Sequence, residues 1–477
     1  MMKIVLRIAR EECRSLLRNH VAVLGTLLLT VLMLIASLNA WEHQRNSAAE
    51  IARYQTQSNH EFESQPDRHP HRMAHYGHFL FRPLNALAAF DPGISAYTGN
   101  TLFLEAHRQN SANFGDVRQS SLLLRFGQLT PAFVLQVLAP LLLVFVGFSG
   151  IARERESGTL RLLLTQGVSS QQLVLGKLAA LSAFTGLVLL PAVLMLGVLA
   201  LTGESAWGMS LVLIAGYAVW LLLWSLMVVF ISSLCQRSRD ALLGLLAIWV
   251  VAIILLPRWV PDLVNAAISL PTRFENEITI QKEYLALGDS HNPNDPKFAE
   301  FRDQVLKQYG VSRIEDLPVN FKGLVGMEGE RKASALFNRY AKKAFDLQTA
   351  QNGFVDDFAW LSPLFALKRL SMSAAGTDLQ NFRSFLEQGE QYRYNLVQGL
   401  NKLQTEKLSY VDDTTKGKEN RIDRSNWQTF PEFSFKPSSS WSTLKTALPA
   451  LGTLLLWVML LGALTLLQSL RLARGIK

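Results

Sequence analysis

Six uncharged apolar runs divide the chain, with charged or polar residues between them. A helix needs about 20 predominantly apolar residues to cross a hydrocarbon core of ~30 Å. Each run is long enough, or nearly so, to make that crossing, so the pattern predicts an all-α polytopic membrane protein with six transmembrane helices. The runs lie at 20–40, 130–151, 178–202, 208–234, 241–257 and 446–470.

Two long polar segments, 41–129 and 258–445, are expected to lie outside the membrane, and the second is expected to be a mainly α domain. Pro257, Pro261 and Pro271 predict the end of the fifth run, because proline lacks the N–H that continues a helix.

Three helices can be placed inside the second segment. Asn294-Asp295-Pro296 combines a cap with proline at the first helical position and predicts a helix to about Tyr309. A helical pattern covers 322–360. Thr377-x-x-Gln380 has the spacing of a capping box for a further helix to about Leu408.

The first 19 residues predict an amphipathic elbow helix, with basic residues on one face and apolar residues on the other. A basic amphipathic helix lies in the membrane interface with its apolar face in the acyl boundary. The basic face includes Arg7, Arg10 and Arg14.

Net charge fixes the expected orientation. The chain has 477 residues and a formal net charge of +9. The long polar segments are close to neutral, so the excess lies in short segments that face one side, as the positive-inside rule expects of a cytoplasmic side. Both termini are therefore expected in the cytoplasm, and a nucleic-acid partner is not expected. The short basic segments are 1–19, 152–177, 235–240 and 471–477.

A charged turn at 153–156 separates the second and third runs, and a short amphipathic segment follows it. Ser157 or Thr159 is expected to cap this helix by accepting from its first N–H groups. Gly167 is expected to end it, and Ser169 with Gln172 predicts a capping box for the next helix. Leucines at helical spacing form its apolar face: Leu160, Leu163 and Leu164.

The run Arg-Glu-Arg-Glu-Ser-Gly-Thr-Leu at 153–160, followed by Gly176-Lys177, resembles the coupling-helix segment of ABC-2-type transporter permeases. In that family the segment docks into a separate ATP-hydrolysing subunit, and the elbow helix also contacts it. An ordinary amphipathic loop between two spans is the simpler alternative. The resemblance assigns docking to Arg153, Glu154, Arg155, Glu156, Gly158, Thr159, Leu160, Leu163 and Leu164, together with the elbow-helix arginines.

A looser resemblance covers mainly 257–400. Ser362-Pro363, the stretch 375–378 and Tyr392-Arg393 resemble a permease subfamily with a large extracytoplasmic domain of unassigned function between the fifth and sixth spans. Permeases for nitrous-oxide-reductase maturation and for gliding motility have a similar layout.

These resemblances imply the permease subunit of an ATP-driven ABC-2-type exporter in a bacterial inner membrane, with its large domain in the periplasm. A homodimer, or a pair with a paralogous permease, is expected. The chain itself is expected to be neither an enzyme nor a cofactor-binding protein, since ATP and Mg belong to the partner ATPase. Two alternatives remain: an ATP-driven mechanotransmission or maturation factor for a periplasmic or outer-membrane protein, and a membrane-anchored periplasmic enzyme.

The residue types inside the runs support this reading. None of the six contains Asp, Glu, Lys, Arg or His in its interior, which argues against ion-coupled transport. Gly176-Lys177 is followed by leucine and lacks the preceding glycine of a phosphate-binding loop, so this chain cannot cradle a nucleotide in that way.

Five of the nine histidines lie between residues 60 and 78. His71 and His75 are separated by four residues, which places two imidazoles on one helical face, and His78 follows closely. A polar surface loop that uses histidine for hydrogen bonding is the simpler interpretation. No metal is assigned to the chain, and His71, His75 and His78 remain candidate ligands.

Overall fold

The structure is a computed structural model that describes residues 2–112, 129–415 and 420–474. Helices make up 76% of it. Six helices are long and apolar enough to cross a membrane, which confirms the predicted fold class. We number these spans 1 to 6 in chain order: His20–Glu63, Pro131–Glu156, Ser170–Leu201, Trp207–Leu234, Ser238–Ala267 and Ser440–Leu472.

Shorter elements lie at both ends of the spans. Six crossings place both ends of the chain on one side of the membrane, which we call the tail side; the opposite side is the domain side. The tail-side helices are α1 (Met2–Arg18), α3 (Ala152–Glu156, the last turn of span 2) and α4 (Thr159–Thr165). The domain side carries α2 (Pro70–Ala74), β1 (His78–Phe81), β2 (Thr101–Leu104), α5 (Arg273–Ala286), α6 (Ala299–Tyr309), α7 (Phe321–Asp357), α8 (Leu364–Ala375), α9 (Leu379–Lys407) and α10 (Tyr410–Thr414).

Span 1 continues as one helix to Glu63, far beyond its apolar run at 20–40. Residues 41–63 contain no proline or glycine, the two residues that disfavour a helix interior most. The helix therefore continues where the side chains become polar. Span 1 thus carries the first polar segment away from the membrane on a rigid stem.

The helix of span 5 also extends beyond its predicted end, because it runs to Ala267 with Pro261 inside it. A π-helical stretch at Val250–Leu255 precedes Pro257. There each N–H bonds five residues back, and the proline lacks the N–H that would reach the carbonyl of Ala252. The hydroxyl of Ser362 donates to that carbonyl instead, at 2.9 Å. The helix therefore ends at Ala267 and not at Pro257 or Pro261, where the sequence predicted its end.

Span 2 compensates for a proline in the same way. A π-helical stretch at Val134–Leu138 precedes Pro140, whose missing N–H would have reached the carbonyl of Leu135. The indole N–H of Trp220 in span 4 donates to that carbonyl at 3.1 Å. In both spans a side chain from another element completes the backbone hydrogen bonding that proline leaves open.

The two polar segments share one hydrophobic core on the domain side. Phe62 at the end of span 1 and Met73 on α2 pack with Leu396 and Leu400 of α9 and with Trp427. The antiparallel pair β1–β2 also rests on α9, where a Cβ at Gly389 would lie 2.6 Å from the side chain of Leu102. The two segments therefore form one domain.

Helix α8 joins this domain to the spans. Its apolar residues belong to the same core cluster as apolar residues of all six spans. The indole of Trp457 in span 6 donates to the carbonyl of Ala359 just before α8, at 2.9 Å. A Cβ at Gly216 of span 4 would lie 2.6 Å from Leu370 of α8, so the two helices approach closely. The domain and the membrane part are therefore continuous.

Two predicted helix starts in the domain have different outcomes. Asp295 caps the turn that leads into α6 by accepting from the N–H of Lys297 at 2.8 Å, as the sequence predicts. The cap of α9 is Asp378, which accepts from Asn381, so the predicted capping box of Thr377 is wrong. The hydroxyl of Thr377 is occupied elsewhere, because it donates to the carbonyl of Asp91 at 3.0 Å.

Candidate functional sites

Helices α3 and α4 form a hairpin on the tail side. Gly158 turns the chain between them with a φ of 78°, a left-handed conformation that glycine adopts without steric cost. Gly158 is also the N-cap of α4, so the expected cap by Ser157 or Thr159 is wrong. The left-handed turn directs both hydroxyls back to α3, where they donate to the carbonyls of Arg153 (2.8 Å) and Glu154 (3.2 Å).

The end of the hairpin follows the prediction. Gly167, with a φ of 87°, follows α4. Ser169 and Gln172 then form a capping box, in which each side chain bonds the backbone N–H of the other at 2.9 and 3.2 Å. Span 3 therefore begins at a fixed position after the hairpin.

Arg155 and Glu156 fix the hairpin to the loop between spans 4 and 5. Arg155 donates to three carbonyls at the C-terminal end of span 4: Ser233 (3.0 Å), Leu234 (3.3 Å) and Cys235 (2.9 Å). A guanidinium there satisfies carbonyls that the helix leaves open and suits its negative end. Glu156 accepts from the N–H and the hydroxyl of Ser238, at 3.0 and 2.8 Å.

Lys177 fixes the other side of the hairpin. Its ammonium group lies 2.7 Å from Glu12 of α1 and 3.3 Å from Glu154 of α3. Helix α1 packs closely on span 3, because a Cβ at Gly176 would lie 2.6 Å from the side chain of Ile8. Helix α1, the hairpin and the tail-side ends of spans 2 to 5 are thus linked in one unit, which we call the tail-side unit.

The leucines predicted to form the apolar face of α4 are not its exposed residues. Leu160 is buried in the core, and Leu163 and Leu164 pack partly against it. Leu162, which the sequence reasoning did not select, is 56% exposed. Among the residues that the resemblance assigns to docking, Arg153, Glu156, Gly158 and Thr159 are exposed, and so are Arg7, Arg10 and Arg14 on α1.

The three candidate histidines of the sequence analysis separate into two groups. His71 and His75 lie together, with an Nε2–Nε2 distance of 3.2 Å. His107 and His291 join them, and the ligand atoms of the four rings all lie within 4.8 Å of one another. His78 lies apart on β1, where its Nδ1 is 3.4 Å from the hydroxyl of Ser58. His107 and His291 stand alone in the sequence, so no local spacing could have selected them.

A buried polar chain occupies the boundary between domain and spans, and the sequence reasoning missed it. Gln136 of span 2 donates to Tyr217 of span 4 at 2.8 Å, and Tyr217 lies 3.0 Å from Ser371 of α8. Ser371 donates to the carboxylate of Asp91 at 2.5 Å. Burial raises the pKa of Asp91. The domain thus brings a carboxyl group into contact with side chains that link it to spans 2 and 4.

Two family models match the chain. Residues 107–273 match the model described as ABC-2 family transporter protein. Residues 273–436 match a domain of unknown function, DUF3526. The first match contains the α3–α4 hairpin and spans 2 to 5, and the second contains α5 to α10. No curated protein matches the chain.

Proposed function

The chain is a multi-pass membrane protein that contains an ABC-2 family transporter domain followed by a DUF3526 domain, and we propose that it is the membrane subunit of an ATP-driven transporter whose ATPase is a separate chain. A membrane subunit of this kind contributes no catalytic residues of its own. ATP and Mg would be bound by the ATPase.

The tail-side unit is the observation that carries this proposal. A partner that pressed on the exposed face of α4 would act on spans 2 and 3 through the chain itself. The contacts of Arg155, Glu156 and Lys177 would pass the same displacement to spans 4 and 5 and to α1. Ion pairs and hydrogen bonds of fixed geometry transmit such a movement better than a flexible loop would.

Charge supports the orientation within this proposal. The whole net charge of +9 falls in the tail-side segments, so the tail side would face the cytoplasm and the domain the periplasm of a bacterial inner membrane. Two copies, or one copy with a paralogous permease, would form the complete transporter. Export is the direction that the ABC-2 resemblance implies.

Co-purification tests the docking surface. We expect the full chain, extracted in mild detergent from its own membranes, to bring an ATP-hydrolysing subunit with it. Arg161→Glu with Leu162→Glu should abolish that association while leaving the membrane-inserted amount unchanged, because both side chains are exposed on α4. Reversal at Glu154 and Glu156 would also disturb Lys177 and Ser238, so it is a less specific test.

The matched control is Leu285→Glu on the domain side, where the leucine is 69% exposed. It should keep the ATPase. Retention of the ATPase by the α4 variant, or equal loss in both variants, would count against docking at the hairpin.

A second candidate function follows from α8. Because α8 shares one core with the six spans, movement of the spans would also move the domain, which suits force transmission to a periplasmic partner. Reconstitution with the ATPase in sealed vesicles separates the two functions. ATP-dependent flux of a labelled solute would support transport, whereas ATP-dependent change in domain protection without flux would support force transmission.

A further inference from the structure

Four histidines from distant parts of the chain meet on the domain side. His71 and His75 come from α2 and its end, His107 follows β2, and His291 lies in the loop between α5 and α6. Ring centroids of neighbouring pairs are 4.7 to 4.9 Å apart for His71–His75, His71–His291 and His107–His291. At these separations the four rings can share one small ion between them.

His71 and His75 are presented together by a short, well-capped helix. Pro70 occupies its first turn, and the ring of His69 caps it by accepting from the N–H of His71 at 3.1 Å. The other ring nitrogen of His69 therefore carries the proton and donates to Asp413 at 2.9 Å. His69 thus positions the helix and has no ring nitrogen left for the cluster.

His107 is held in an unfavourable conformation. Its φ is 60°, the one positive value among the described residues other than glycine. Such backbone strain is maintained only where surrounding contacts enforce it. Here the N–H of His107 donates to the buried carboxylate of Glu330 at 3.1 Å, and Arg393 holds that carboxylate at 2.7 Å.

The ring of His107 is buried, yet neither of its nitrogens has a hydrogen-bond partner among the described residues. Its Nδ1 lies 3.3 Å from Glu330 but without hydrogen-bond geometry. A buried polar atom without a partner costs free energy and calls for an explanation. A ligand at the centre of the four rings would supply the missing partner.

His291 has one ring nitrogen oriented and one available. Its Nδ1 lies 3.0 Å from the carboxylate of Asp289, and its backbone N–H donates to the same oxygen at 2.9 Å. A carboxylate that holds one imidazole nitrogen while the other faces an ion is the usual arrangement around metal-binding histidine.

We propose that His71, His75, His107 and His291 bind one divalent transition-metal ion, with Zn²⁺ as the representative case. Tetrahedral Zn²⁺ at ~2.0–2.1 Å from nitrogen needs ligand nitrogens ~3.3 Å apart, close to the 3.2 Å between His71 and His75. Four protein ligands without an open position are typical of a structural site rather than a catalytic one. Imidazole donors favour zinc, copper or nickel over magnesium or calcium.

The ion would link the two segments that form the domain. His71, His75 and His107 belong to the segment before span 2, and His291 belongs to the segment after span 5. Binding would fix the loop between α5 and α6 onto α2. Metal binding to the native state would then raise the stability of the whole domain by mass action.

Metal titration tests the site. The full chain, purified without a histidine tag and dialysed against a chelator, should bind one equivalent of Zn²⁺ and unfold at a higher temperature with it. Co²⁺ should give the absorption bands of a tetrahedral nitrogen site. His291→Gln and His75→Gln should each weaken binding at least about tenfold, and Asp289→Asn about 10- to 100-fold.

Two comparisons keep the test decisive. His291 is an exposed loop residue, so His291→Gln should fold as the wild type does and differ only in its response to metal. His60→Gln is the matched control, because His60 is exposed and lies outside the cluster, and it should bind Zn²⁺ as the wild type does. Absence of Zn²⁺ binding by the wild type, or equal binding by His291→Gln, would overturn the proposal. Neither result depends on whether an ATPase co-purifies.

Discussion

At the scale of single residues, two buried carboxylates have pKa values shifted in opposite directions. Burial would raise the pKa of Glu330, but its contact with His107 and the charge of Arg393 outweigh burial and lower the pKa to about 2. At Asp91 burial prevails and raises the pKa, because the hydrogen bonds from Ser371 and from the backbone of Gly93, and the charge of Lys368, oppose it only in part. Glu330 is therefore ionised, whereas Asp91 is biased toward its neutral form.

Asp91→Asn should reveal this bias as a pH dependence. A carboxyl whose pKa is raised by folding contributes stability at low pH that is lost as the pH rises through the raised value. The wild type should therefore lose stability relative to Asp91→Asn as the pH increases above the usual range of an aspartate, since the amide keeps an acceptor for Ser371 without a charge. Thermal unfolding in detergent across pH measures this difference. An equal pH dependence of both proteins would contradict the assignment.

At the scale of elements, the π-helical stretches explain how prolines are tolerated within the spans. The sequence predicted an end of span 5 at Pro257 because the helix itself offers no substitute for the missing N–H. The substitute comes from Ser362, more than a hundred residues later, and for Pro140 from Trp220. Such partners are set by packing and leave no local signal in the sequence.

Ser362→Ala should leave the carbonyl of Ala252 without a partner and lower the free energy of unfolding by about 1–3 kcal/mol. Pro257→Ala restores an N–H five residues after Ala252, so the double variant should recover most of that loss. Thermal or denaturant unfolding of the two single variants and the double variant measures the coupling. Additive losses would show that proline and serine do not act on the same carbonyl.

At the scale of the whole molecule, the two polar segments fold as one domain that shares a core with the spans through α8. Orientation is then a single property: if one part of the domain faces outward, all of it does. The positive-inside rule predicts that the domain is outside and the α3–α4 hairpin inside.

Thiol labelling measures that orientation. In a variant with Cys13 and Cys235 replaced by serine, Glu432→Cys should react with a membrane-impermeant maleimide in spheroplasts, because Glu432 is exposed on the domain. Thr165→Cys, exposed at the end of α4, should react only after the membrane is opened. The reverse pattern would place the docking surface on the wrong side of the membrane.

The sequence by itself determined the number of candidate spans and the helical class, and it predicts the side on which each segment lies. These follow from local properties: the length of an apolar run, a helical period and the charge of a short segment. It also gave the capping box at Ser169, where the partners are three residues apart.

Only the tertiary structure decided which distant groups meet. It buried Leu160, exposed Leu162, brought Asp91 to the spans, and placed His107 and His291 beside His71 and His75. The groups that meet are separated by tens to hundreds of residues, and their meeting depends on how α8 packs against the spans and α9 against the first polar segment. Side-chain types record what a position can bind, but only packing sets which partners come within bonding distance.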